Sequence, residues 1–234
     1  MKVRTAFILT MAALLPLAAT AAEPSKVLSV DQTAVERTIP EGPDTTLNQA
    51  PNQVNGLFSD IGCDICTQGV QIIGENFTIS TGGLGYNFDQ VIFWGGYYPN
   101  DVPVAAPFEV GIYPDAGGAP GAVATCSNSG VVPSADVLTG VVLFGVSEHM
   151  ITLDVPPCNL ADGTYWLVMY TDTGVGTDDL FWETGTLDAT NGIVGSVWSP
   201  TNPPAPWNID AATDLSVQIT GTIVPVELQS FSIE

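Results

Sequence analysis

The chain has 234 residues and a formal net charge of −21, from 25 acidic side chains against four Lys and Arg. All four cations (Lys2, Arg4, Lys26 and Arg37) lie in the first 37 positions, so 22 of the carboxylates stand on a stretch with no fixed positive charge. Such a surface repels phosphate, which argues against nucleic-acid binding and docking on anionic membranes, and past residue 37 there is no Lys for Schiff-base chemistry and no Arg to clamp an anion.

In chain order, the first element is a secretory signal. Lys2 and Arg4 precede an apolar run over 6–17, and Ala19-Thr20-Ala21 is a small-residue cleavage site, so residues 1–21 are expected to be removed. The apolar run is too short to span a bilayer. Residues 22–51 are polar, punctuated by proline and aperiodic, and read as a flexible N-terminal arm.

Short strand signals then recur every 8 to 15 residues. The segment 70–80 (VQIIGENFTIS) is a strand interrupted by Gly74, and Thr81-Gly82-Gly83 is a turn. Strands follow at 86–94 (YNFDQVIFW) and 108–113 (FEVGIY), then a turn over 115–121 (DAGGAPG) and a strand over 122–126. Two more, 141–146 and 149–155, are separated by Ser147-Glu148. Asp162-Gly163 is a tight turn feeding 164–170 (TYWLVMY), and 180–183, 193–198, 215–220 and 222–231 complete the set. About ten strands with no amphipathic helix, and 42 Gly and Pro between them, predict an all-β, antiparallel two-sheet sandwich of jelly-roll or Greek-key type over 52–221.

The four cysteines of an exported chain predict disulfides. Cys63-Asp64-Ile65-Cys66 reads as a small local loop, because no helix signal follows it and no second C-x-x-C completes a zinc site. Cys126 would then pair with Cys158; three connectivities are formally open.

Several motifs resemble a known group. NQAPNQVN (48–55), GLFSDIGCDIC (56–66), VIFWGGYY (91–98), IYPDAGGAPG (112–121) and LADGTYW (160–166) are similar to secreted bacterial β-sandwich domains called choice-of-anchor domains, which precede varied C-terminal sorting tails. The similarity runs over 48–221 and implies a fold without a shared activity. VPVELQSFSIE (224–234) is similar to the last strand before such a tail, which makes 222–234 the expected junction. With neither an apolar helix nor a basic end before Glu234, the expectation is a lost tail or a released protein.

Three kinds of chemistry have candidate residues in the chain. His149, the sole histidine, has Ser147 and Asp154 near it in sequence, but no nucleophile elbow, and reads as a half-exposed strand histidine and not a triad member. Paired carboxylates for glycoside hydrolysis have candidates in Glu109, Glu148 and Glu183, none marked as an acid of raised pKa. Ca²⁺ is the natural counter-ion outside the cell, and DTGVGTDD (172–179) places Asp172, Asp178 and Asp179 on a Gly-rich loop able to wrap an ion.

Aromatic rings are the other candidates. Tyr97, Tyr98, Trp198 and Trp207 lie at strand ends or beside a Pro-rich loop, where a flat platform would stack on sugar faces, although core packing is the commoner use of Trp. Trp94 shares a strand face with Ile92 and reads as structural. Taken together, these features describe a secreted or cell-surface bacterial protein, a non-enzymatic structural or adhesive module with Ca²⁺ as a candidate ion. Its expected partner is a polysaccharide or another surface protein. The alternatives are a carbohydrate-binding module and a carboxylate-dependent hydrolase.

Overall fold

The computed structural model describes residues 23–28, 45–186, 195–202, 204 and 206–224. The expected signal segment and residues 225–234 of the expected junction lie outside these. Fourteen strands and no helix are found among the described residues. They are β1 (Lys26–Leu28), β2 (Leu47–Gln49), β3 (Pro51–Phe58), β4 (Ile72–Ile79), β5 (Tyr86–Tyr98), β6 (Phe108–Pro114), β7 (Cys126–Val131), β8 (Ala135–Leu143), β9 (Val146–Leu160), β10 (Gly163–Thr171), β11 (Asp179–Gly185), β12 (Ser196–Ser199), β13 (Asn208–Asp210) and β14 (Val217–Ile223).

The strands form two antiparallel sheets, as the sequence pattern predicts. One sheet runs β13-β12-β4-β10-β6-β7. The other is forked around β5. Its one side pairs with β9, which in turn pairs with β8. Its other side pairs with β14 along Tyr86–Phe93 and with β11 along Gly95–Tyr98. The change of partner falls at Trp94, just before Gly95-Gly96. A Cβ on Gly95 would sit 2.2 Å from the Phe181 carbonyl oxygen, so only glycine lets β11 approach there.

Alternation sets the layers. Leu180 and Trp182 of β11 point into the main core with Phe93, Phe108 and Leu167, while Phe181 between them points to the other face. There it joins Val27, Phe58, Val146 and the Cys63–Cys66 loop in a second, smaller cluster. The largely exposed β8 and the mostly buried β10 show the two ends of the same rule. β10 is central and covered on both faces, whereas β8 is an edge strand with most residues exposed.

Both expected disulfides are present. Cys63 and Cys66 close a loop of sequence separation 3, and Cys126 of β7 joins Cys158 of β9, which staples the two sheets to each other.

Two expectations need correction. The arm expected to be loose and aperiodic over 22–51 carries strands. Val27 buries against the smaller cluster, Leu47 enters the main core, and Ser25 is held by both amide atoms of Gln71. Strands of three residues are too short to show a period. The expected strands at 122–126 and 141–146 are likewise displaced. The hairpin of β8 and β9 turns at Phe144-Gly145, both with positive φ, so the strand thought to run through this turn is two strands.

Candidate binding site at the sandwich flank

The chain crosses from β7 in one sheet to β8 in the other through residues 132–134, and this crossing leaves an opening at the flank of the sandwich. The opening is a pocket of about 520 Å³. Val104, Ala105 and Pro107 form one wall, Val132 and Pro133 the other, and Tyr97 and Asp136 face into it. Pro-rich stretches suit this place, since neither wall needs ladder hydrogen bonds.

The polar groups here come from neighbouring strands. Asp136 of β8 pairs across the ladder with Ile151, and Leu138 with His149, so Asp136 and His149 share the inward face. Nδ1 of His149 lies 2.6 Å from Oδ1 of Asp136. The imidazole is 5 % exposed and meets the Tyr97 ring edge-on at 5.4 Å. Burial, followed by the charges of Asp136 and Asp60, pushes the Tyr97 hydroxyl up to about 12, so it is a neutral hydrogen-bonding group at ordinary pH.

His149 is therefore not the half-exposed strand residue expected. It is enclosed and partnered by a carboxylate 13 positions away. Ser147 bonds instead to Asp101, and Asp154 accepts from Gln90, so neither joins the imidazole. Sequence reasoning missed Asp136 because no motif marks it; only the β8–β9 register brings it to His149.

The acidic loop behaves differently. The described residues hold no group of three or more His, Cys, Asp or Glu able to bind a metal. Asp172 caps the Gly174 amide, and Asp178 accepts from the Asn100 and Val102 amides and from the Asn100 side chain. Asp179 accepts from the Asp64 and Ile65 amides. The three expected calcium ligands thus point to separate backbone targets and do not converge. Burial, outweighing these two hydrogen bonds, raises Asp179 to about 6, with Asp60 and Asp64 adding to it.

Asp60, three residues before Cys63, is the hub of this region. Its two oxygens accept from the amides of Gly62, Thr173 and Leu180 and from the Thr173 hydroxyl. Asp64 adds the Gly176 amide.

The aromatic candidates do not form a platform. Tyr97 and Trp198 are buried in the main core, and Trp94 is buried as expected. Tyr98 is half-buried against Phe58, and Trp207 is half-buried rather than freely exposed. The rings were misplaced because strand ends read as surface, whereas Tyr97 and Trp198 pack into the main core.

The proposed hydrolytic acids Glu148 and Glu183 are fully buried in β9 and β11, and Glu109 is half-buried in β6. Among the described residues Glu75 and Asp214 form a buried carboxylate pair. Burial, followed by the Asp214 charge, raises Glu75 well above its usual range, and it accepts from the Leu215 and Asn76 amides. Both residues are about 1 % exposed, so no substrate reaches them.

Compared with protein-family models, curated proteins and solved structures, the chain matches none.

Proposed function

We propose that the protein is an exported, non-enzymatic module of the bacterial cell surface or its surroundings, structural or adhesive in role, and that it acts through contact at its open flank. The observation that carries this reading is the exposed apolar edge beside the pocket. Val132, Val137, Leu138 and Val142 are 71, 48, 61 and 64 % exposed on and beside an edge strand. Exposed apolar edges of this kind are contact surfaces or hazards, and exported proteins seldom leave them bare without use. Two of the three candidate hydrolytic acids, Glu148 and Glu183, are fully buried, and two rings that a sugar platform would need lie in the core. Two disulfides fit an oxidising compartment.

The test has two parts. In the producing cells the protein is expected in the surface or extracellular fraction with all four cysteines oxidised. Beads coated with the purified chain are expected to adhere to those cells, and beads carrying the Val137→Ser, Val142→Ser double variant to adhere several-fold less. A cytosolic protein with free thiols, or equal adhesion of both bead types, contradicts the proposal.

A further inference from the structure

We infer that β8 receives an extended segment of a basic partner protein, which places one Lys or Arg side chain in the flank pocket against Asp136. This deepens the proposed contact role by naming the partner's chemistry. Among the described residues β8 pairs with β9 alone, so the outer backbone groups of 135–138 are open to a further strand. Strand addition to an open edge supplies main-chain hydrogen bonds, and a side-chain pocket beside the edge supplies selectivity.

The pocket selects by both shape and charge. Its walls are Val, Ala and Pro, suited to the methylene stem of a long side chain, and Tyr97 with its neutral hydroxyl faces into it. Asp136, with a third of its side chain exposed, is the pocket's one formal negative charge. The nearest cationic candidate is His149, which is already engaged on the same carboxylate. Among the described residues the only Lys or Arg is Lys26, and it is paired with Asp210. Among the described residues no Lys or Arg is therefore free to meet the exposed part of this carboxylate, and a basic partner would supply one.

Charge also decides between occupants. A second copy of this chain would bring two bodies of net charge −21 edge to edge, which is repulsive at close range. An acidic segment would be repelled by Asp136, and a neutral one would cover its exposed third while leaving His149 as its sole partner. An inward-pointing charge on an edge strand also blocks indiscriminate pairing. Here the same carboxylate that rejects other strands admits a basic one.

The experiment is a fluorescence-anisotropy titration of the full chain with the blocked peptide Thr-Val-Lys-Val-Thr and with versions carrying norleucine or Glu in place of Lys. The Lys peptide is expected to bind at least tenfold more tightly than the norleucine peptide, and the Glu peptide not measurably. Asp136→Asn is expected to abolish the preference for Lys. Ala105→Trp, an exposed wall position that leaves Asp136 and His149 in place, is expected to weaken the Lys peptide by filling the pocket. Methylating the peptide's backbone nitrogens is expected to abolish binding.

Equal affinity for Lys and norleucine overturns the inference, as does a preference that survives Asp136→Asn. Tight binding of the methylated peptide overturns strand addition. The titration uses purified protein, so it is independent of location. A chain that binds the peptide but resides in the cytosol sinks the surface reading alone, and an adhesive surface protein with no Lys preference sinks the docking inference alone.

Discussion

Two acidic regions of this protein use carboxylates in opposite ways. At the loop end around Cys63–Cys66, Asp60, Asp64, Asp178 and Asp179 accept hydrogen bonds from backbone amides of 62–65, 100–102, 173–176 and 180, and the loops are stitched together by them. At the flank, Asp136 faces a pocket with one histidine for company beside a bare apolar edge. Carboxylates are good acceptors for amides that have no strand partner, so a chain almost without cations can still hold long loops. The difference teaches that acid content alone says little about ions or catalysis. What matters is whether each oxygen is already occupied.

If the loop end is held by its acids, breaking the hub has the largest effect. Asp60→Ala strands three buried amides and a hydroxyl, at about 1–3 kcal/mol each, so the variant is expected to lose most of its stability or fail to fold. A chemical melt checks this; a loss under 2 kcal/mol, on the order of one such bond, contradicts it. Asp136→Asn at the flank is the contrast, with an expected change of less than about 1 kcal/mol, since the surroundings are partly open.

The next effect belongs to the staple between the sheets. Replacing Cys126 and Cys158 by Ser is expected to cost about 3–4 kcal/mol, in line with a loop of some thirty residues, and to loosen the flank more than the loop end. Reduction-resistant melting would speak against it.

Acidification sharpens the comparison at smaller scale. Asp179 sits at about 6 against an ordinary 3.8, and Glu75 is also raised. A raised carboxyl favours the folded state when protonated. Its contribution is full below about pH 4 and is lost as pH rises through 6. The melting temperature is therefore expected to be higher at pH 5 than at pH 7, and a lower one would show that burial does not disfavour the charged form of Asp179. Calcium gives the smallest effect. With Asp172, Asp178 and Asp179 each engaged separately, Ca²⁺ is expected to shift the melting temperature no more than NaCl of equal ionic strength. An added shift from Ca²⁺ would restore an ion site.

Much of the fold was legible because it is local. The alternation of YNFDQVIFW and TYWLVMY is visible without neighbours, and these became β5 and β10 at the centres of the two sheets. Of the three connectivities that the spacing left open, the expected one is present. Three things were not local. β1 and β2 are three residues each and are strands only because β3 and β14 accept them. The Phe144-Gly145 turn lacks the usual Asn or Asp at its first position, and Phe144 is held there by its edge-on contact with Phe181. The approach of Asp136 to His149 depends on that turn and on the register shift between Leu138 and Val142, so the flank site could not be seen before the hairpin was.

The most direct measurement of the contrast between a stitched end and an open flank is residue-resolved amide hydrogen exchange on the full chain. The amides of Gly62, Asn100, Val102, Thr173 and Leu180, all outside regular ladders or at their ends, are expected to exchange nearly as slowly as those of β5 and β10, while those of 135–138 along the outer side of β8 exchange rapidly. Fast exchange at the loop amides, or protection along β8 equal to that of β5, would contradict the account, the latter because it would mean that the edge is already covered by the chain itself.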